Sequence, residues 1–166
     1  MINFKNMKPK ILVVGDLIID HYLWGTCDRI SPEAPVQVVN IANESIQLGG
    51  AGNVVNNLHA LGAEVDIISV IGKCKASQEL KKLLSDICVE THYLITEDDR
   101  ITSKKSRIIS DQQQVVRYDR ECTNEINKKS KETILKIYKS VVSNYDCVLI
   151  SCLLYTSDAA DDLLCV

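Results

Sequence analysis

The chain has 166 residues, with 19 basic and 22 acidic side chains and a formal net charge of -3. It is long enough for one domain, and this charge balance is not that of a nucleic-acid-binding protein. No apolar run approaches membrane-spanning length, and no signal-peptide core follows the N-terminal lysines. Seven cysteines without a Cys-x-x-Cys pair indicate reduced thiols, so we expect a cytoplasmic protein with neither nucleic acid nor membrane as a partner.

An apolar strand near the start ends at Gly15 and places the carboxylate of Asp16 at its carboxyl end. Open α/β sheets bind ligands at this edge, so Asp16 is a candidate acceptor of hydrogen bonds from ligand hydroxyls. Asp20 follows as a second candidate. The alternative is that Asp16 only caps the turn after the strand.

A glycine-rich segment then opens a helix. Gly49 and Gly50 offer bare backbone against which a ligand can lie, and Asn53 adds an amide in the first turn. A helix N-terminus favours hydroxyls and anions. Together with Asp16 this predicts a crevice for a polyol. A dinucleotide site is the alternative, but its glycines follow the first strand directly, where this chain has only Gly15.

The remaining elements complete an α/β pattern. Apolar spacing predicts a helix from residue 51 to Gly62, a strand over Val65–Ile71, and amphipathic helices over 77–88 and 130–145. A buried strand follows at 147–150. Helices that alternate with apolar strands favour a mostly parallel sheet with flanking helices.

Two further pairs of strands do not fit a parallel sheet. Residues 22–26 and 35–41 form one pair, and residues 101–109 and 114–118 the other, so the lid strands span about 22–41 and 101–119. We expect them to form a small separate sheet. Alternation places Lys105 and Arg107 on one face of their strand, with Arg117 and Asp119 together on theirs. These cations suit an anionic ligand, or they merely solvate an exposed surface.

The paired glycines, Asn53, Gly62 and Gly72 together resemble the first signature of the ribokinase-like (PfkB) carbohydrate kinases. Val55 departs from that signature, which usually has a small residue there. The resemblance implies the N-terminal part of a three-layer ribokinase-like fold with a small β lid. It also implies a kinase that uses ATP and Mg²⁺, and a homodimer formed through the lid.

Within this family, residues 15–20, 29–35 and 108–117 are similar to the heptose 7-phosphate kinases of lipopolysaccharide precursor synthesis. Those kinases often form one half of a bifunctional enzyme with an adenylyltransferase. The resemblance implies transfer of the ATP γ-phosphate to the anomeric hydroxyl of D-glycero-D-manno-heptose 7-phosphate. The substrate-binding residues it implies are Asp16, Asp20, Gly49, Gly50, Asn53, Lys105, Arg107 and Arg117.

The family's Gly-Ala-Gly-Asp motif, which supplies the catalytic base, does not occur in this sequence. We therefore assign no catalytic residue and expect the fragment itself to be inactive. Residues 152–166 resemble a translated sequencing adapter, so the kinase segment is expected to span 1–151. Two alternatives stay open, namely another ribokinase-like sugar kinase and a non-catalytic sugar-binding or dimerisation module.

No metal site is expected from the histidines. His21, His59 and His92 show neither the spacing of metal ligands nor an evident carboxylate partner. Each is interpreted as an ordinary surface or core residue.

Overall fold

The computed structural model describes residues 8–151, which form two four-stranded sheets and three α-helices. This confirms the α/β class. The suspected adapter segment, 152–166, lies outside the described residues. The strands are β1 Lys10–Gly15, β2 Leu17–Ile30, β3 Gln37–Gly50, β4 Glu64–Gly72, β5 Leu94–Glu97, β6 Ser103–Ser110, β7 Gln113–Arg120 and β8 Cys147–Ser151, and the helices are α1 Ala51–Ala60, α2 Lys75–Asp86 and α3 Lys128–Val141.

The main sheet has the strand order β5-β4-β1-β8, and every neighbouring pair is parallel. In β1, Val13 pairs with Ile67 on one side and Leu149 on the other. Successive side chains of a strand point to opposite faces, so Leu12 and Val13 are buried under different helices. The sheet therefore needs a helical layer on each face.

Two apolar clusters supply those layers. Residues from α1 and α2 cover one face, and residues from α3 cover the other. The first cluster includes Val13, Val55, Ile67, Leu80 and Leu84, and the second includes Leu12, Ile68, Ile134, Tyr138 and Val141. This confirms the parallel sheet with flanking helices that the alternating pattern favours, and the three-layer arrangement that the resemblance implies.

The remaining strands form a second sheet, the lid sheet, with the order β3-β2-β6-β7. A small separate sheet was predicted and is confirmed. The predicted strands were too short, because β2 and β3 each span 14 residues. Ile46 and Leu48 pack against the first core cluster, so β3 continues back to the main sheet with one face buried and one exposed.

The hairpin between β6 and β7 turns at Asp111 and Gln112, whose φ angles of 49° and 69° suit the twist of the strands.

No helix within residues 8–151 has the length and apolarity to cross a membrane. The five cysteines in this part of the chain are all free, consistent with the predicted reduced thiols.

Candidate functional site

The candidate site begins at Asp16, which lies between β1 and β2 at the carboxyl edge of the main sheet. Asp16 is exposed. Its carbonyl oxygen accepts a hydrogen bond from the backbone N–H of Ala51 at 2.9 Å, and its own N–H donates to the carbonyl of Ser151 at 3.3 Å. These bonds bring the start of α1 directly beside the predicted acid.

Gly50 makes this approach possible. It is the N-cap of α1 with φ 56° and ψ -132°, in the left-handed range of φ that favours glycine. A Cβ on Gly50 would press against the carbonyl oxygen of Asp16. No side chain among the described residues caps α1, and Asn53 is exposed in its first turn. The first N–H groups of α1 therefore lie at the same edge as Asp16, where a hydroxyl or an anion can accept from them.

The lid sheet presents charged and aromatic side chains on one face, which we call the cation face. Its register pairs Asp20 with Lys105 and Tyr22 with Arg107 across β2 and β6. The neighbouring pair, β6 and β7, then sets Arg107 opposite Arg117. The cation face consists of Asp20, Tyr22 and Trp24 from β2, Lys105 and Arg107 from β6, and Arg117 and Asp119 from β7.

Each predicted cation of this face has a carboxylate partner. Arg107 Nη1 donates to Asp20 Oδ1 at 2.5 Å, and Lys105 Nζ lies 3.0 Å from Asp119 Oδ2. Lys105 also donates to Glu121 at 3.0 Å. The partners were not evident from sequence, because the Asp20 and Arg107 positions are far apart in the chain.

Arg117 is bound less firmly than the other cations. Its Nε lies 3.1 Å from Asp119 Oδ1, an ion pair without hydrogen-bond geometry, and its side chain is 51% exposed. The side chains of Arg107 and Asp20 are only 22% and 23% exposed. The Asp20–Arg107 pair is therefore the more enclosed part of the cation face.

Three charged groups of the cation face have shifted pKa values, namely Arg107, Lys105 and Asp119. The hydrogen bond to Asp20 raises the pKa of Arg107. Burial lowers the pKa of Lys105, but its bonds to Asp119 and Glu121 outweigh that effect and raise it. The pKa of Asp119 is lowered, chiefly by its hydrogen bond with Lys105. These shifts keep Arg107 and Lys105 cationic and Asp119 ionised at neutral pH.

An aromatic pair on the cation face was missed from the sequence. The rings of Tyr22 and Trp24 stack with centroids 5.5 Å apart, and the Arg107 guanidinium lies 5.3 Å from the Tyr22 centroid. Positions 20, 22 and 24 alternate along β2, so strand periodicity was the available signal. A cation over an aromatic ring is stabilised by about 0.5–1 kcal/mol at exposed sites.

The interpretation of His21 as an ordinary surface or core residue stands, but the expected lack of a carboxylate partner was wrong. His21 does have a carboxylate partner, because its Nε2 lies 3.3 Å from Glu44 Oε2. Its Nδ1 lies 3.0 Å from Ser106 Oγ, and the side chain is buried on the opposite face of the lid sheet. The histidine belongs to the packing of that face, and its partner was hidden because strand pairing, not sequence proximity, brings β3 beside β2.

Within residues 8–151, no group of three or more His, Cys, Asp or Glu side chains is placed to hold a metal ion. No chemical step is assigned to a metal among these residues. The described residues offer the first N–H groups of α1 beside Asp16, and a lid-sheet face on which Lys105, Arg107 and Arg117 are paired with carboxylates.

Comparison with known proteins places this geometry among sugar kinases. The family model described as pfkB family carbohydrate kinase matches residues 8–165. The chain is 57% identical over 144 residues to the bifunctional protein HldE of Aliarcobacter butzleri, covering 87% of the chain and 30% of that protein. It is 54% identical over 147 residues to the HldE of Sulfurimonas denitrificans, covering 89% and 31%. The chain thus spans about a third of the length of these relatives.

Solved structures share the fold. A carbohydrate kinase from Agrobacterium tumefaciens superposes with a TM-score of 0.63 at 22% identity, over 87% of this chain and 45% of that one. A ribokinase from Arabidopsis thaliana, solved with ribose and ATP, gives 0.57 at 15% identity over the same shares. Because the family model matches almost the whole chain, this protein belongs to the pfkB family of carbohydrate kinases.

Proposed function

We propose that this chain provides the sugar-binding part of a cytoplasmic kinase that transfers the ATP γ-phosphate to the anomeric hydroxyl of D-glycero-D-manno-heptose 7-phosphate, for lipopolysaccharide precursor synthesis. The observation that carries this proposal is the bond from the Ala51 N–H to the Asp16 carbonyl, 2.9 Å long. It joins an acidic strand end to an uncapped helix start, so one polyol can reach both. The identity to HldE proteins supports the choice of a heptose phosphate.

In this proposal the side chains divide the substrate between them. Asp16 accepts hydrogen bonds from sugar hydroxyls, Asn53 binds a hydroxyl through its amide, and the backbone of Gly49 and Gly50 lies beneath the ring. The cations Lys105, Arg107 and Arg117 bind the 7-phosphate from the lid sheet. Closure of the lid excludes water, which would otherwise accept the phosphoryl group.

The chain as written has no Gly-Ala-Gly-Asp motif, so we propose that it binds the sugar without phosphorylating it. Phosphoryl transfer needs positioned donors for the moving phosphate and a base near the acceptor hydroxyl. Reading the gene from independent DNA past the Ser151 codon separates the candidates. Codons for Gly-Ala-Gly-Asp downstream support the kinase, whereas an intact stop after the present sequence favours a non-catalytic sugar-binding module.

Calorimetric titration tests the binding proposal. The chain is expected to bind D-glycero-D-manno-heptose 7-phosphate more tightly than fructose 6-phosphate, and both more tightly than ribose. Asp16→Asn is expected to weaken heptose 7-phosphate binding by roughly tenfold or more, because it removes a charge-assisted hydrogen bond. The melting temperature of Asp16→Asn is measured alongside, so that a loss of affinity is told apart from a loss of folded protein.

The matched control is Asp28→Asn, an aspartate in β2 whose Oδ2 accepts an exposed bond from Thr26, at 3.1 Å. It should leave affinity unchanged. A wild-type preference for ribose, or equal affinities of wild type and Asp16→Asn, contradicts the proposal.

A further inference from the structure

Both oxygens of the Asp20 carboxylate lie close to other protein groups, although the sequence predicts Asp20 only as a sugar-binding candidate. Oδ1 accepts from Arg107 Nη1 at 2.5 Å. Oδ2 lies against the Cα of Gly49, where a Cβ would collide with it. The side chain is 23% exposed. Both oxygens of the Asp20 carboxylate therefore face protein groups, Arg107 on one side and Gly49 on the other.

The guanidinium of Arg107 is held from two directions. Asp20 binds it through Nη1, and the Tyr22 ring lies 5.3 Å from its carbon atom. A guanidinium has several N–H donors, and the bond to Asp20 uses Nη1, so its other donors can bind a second anion. Such planar, paired donation suits phosphate oxygens.

The other two cations of the face are less suited to that task. Lys105 is shared between Asp119 and Glu121, each at 3.0 Å, so its charge is already balanced twice. Arg117 is half exposed, and screening by solvent weakens its interactions. Arg107 combines one carboxylate partner, a fixed orientation and partial burial.

We propose that Asp20 is a positioning residue. Its carboxylate lies in the space that Gly49 leaves, holds Arg107 for the phosphate group of the sugar, and does not itself contact sugar hydroxyls. This rests on the proposed function, because it concerns the phosphate of the same substrate. The proposal also explains why the residue at position 49 must lack a side chain. Gly49 does not have the positive φ found at Gly50, so alanine there changes the space and not the backbone.

The test is a double-mutant cycle on the full chain with two ligands, D-glycero-D-manno-heptose 7-phosphate and the same heptose without phosphate. Asp20→Asn should weaken binding of the phosphorylated sugar about tenfold and of the plain heptose less than about twofold, because only the charge-assisted hydrogen bonds to the phosphate depend on the placement of Arg107. In an Arg107→Gln background, Asp20→Asn should have no further effect.

Gly49→Ala is the second variant, since its methyl group displaces the Asp20 carboxylate without removing a charge. It should weaken binding of the phosphorylated sugar more than binding of the plain heptose, and the loss for the plain heptose measures any effect of the methyl group on the ring itself. Asp28→Asn serves as the matched control on the same strand and should change neither affinity. Emission of Trp24, the single tryptophan, should respond to Asp20→Asn and Gly49→Ala but not to the control, because its ring stacks on the Tyr22 ring beside Arg107.

Two results overturn the inference. Equal weakening for both sugars in Asp20→Asn would show that Asp20 contacts hydroxyls. Additive effects in the double variant would show that it acts independently of Arg107. A wild-type chain that binds both sugars alike would instead refute the proposed phosphate site itself, and this inference with it, so the two failures are distinguishable.

Discussion

Asp16 and Asp20 show how far residue-level reasoning reaches. The end of an apolar strand predicted that Asp16 lies at the carboxyl edge of the sheet, and the structure places it there. The same reasoning gave no partner for Asp20, because Arg107 reaches it only through the parallel pairing of β2 with β6. Local patterns reveal which face of a strand a side chain occupies, but not which distant strand becomes its neighbour.

The ion pair between Lys105 and Asp119 leads to a pH prediction. The pKa of Asp119 is lowered in the folded protein, so its contribution to stability is present above the unfolded pKa, about 4, and is lost as pH falls through the folded value. Wild type should therefore be more stable than Asp119→Asn by about 1 kcal/mol near pH 7, and the difference should shrink below about pH 4.

Thermal melts of both proteins between pH 3 and pH 8 measure this difference. Lys105→Met is the control background, because the Asp119→Asn substitution should depend less on pH once the main cause of the lowered Asp119 pKa is removed, with Arg117 and Arg107 still present. A difference that grows as the pH falls would show that the pair does not stabilise the lid sheet.

At the scale of elements, the second lid hairpin is held at both ends by one cluster of side chains. Glu97, at the end of β5, accepts from Arg100 Nε at 3.2 Å and from the backbone N–H of Asn127 at 2.9 Å. Arg100 donates to the carbonyls of Cys122 and Asn124, at 3.3 and 2.7 Å. The segments before β6 and after β7 are thereby joined.

Glu97→Gln should destabilise the protein by roughly 2–3 kcal/mol, because it leaves the Arg100 guanidinium, only 14% exposed, without its counter-charge. Urea unfolding followed by Trp24 fluorescence and by circular dichroism measures the effect at the lid and over the whole chain. Glu125→Gln is the control, since Glu125 is 87% exposed and its pair with Lys131 is a surface ion pair whose removal should leave the unfolding midpoint nearly unchanged. Equal effects of Glu97→Gln and Glu125→Gln would show that Glu97 does not join the segments on either side of the hairpin.

The elements themselves were predictable to different degrees. The spacing of apolar residues in α1 located that helix, and its structure extends over Ala51–Ala60. The strand β5 was missed, because four residues are too few to establish a periodicity. The lid strands were predicted too short because the inner part of β2 is buried on both faces, whereas the inner part of β3 is only partly buried. The two strands therefore share no single pattern of apolar residues.

At the scale of the whole molecule, the lid sheet ends in an exposed edge strand. In β7, Val115, Val116 and Tyr118 are 39%, 46% and 45% exposed. An edge strand with exposed apolar side chains can pair or pack with another copy. We propose, in line with the family resemblance, that the chain forms a homodimer through this sheet.

Sedimentation velocity tests the dimer. The expected species has twice the 18.5 kDa mass of the chain. Val116→Lys should shift it towards the monomer by placing a charge on the apolar edge, whereas Leu135→Lys, at an exposed site of α3, should not. A monomer at all concentrations, or equal sensitivity to both substitutions, contradicts assembly through the lid.

The central claim is that Asp16, Asn53 and the cation face bind one phosphorylated sugar. A crystal structure of the chain with D-glycero-D-manno-heptose 7-phosphate tests it most directly. The account predicts that Asp16 and Asn53 both lie within hydrogen-bond distance of the same sugar ring, and that the phosphate contacts Arg107. A ring that touches only one of those two residues, or a phosphate bound away from the lid sheet, would contradict it.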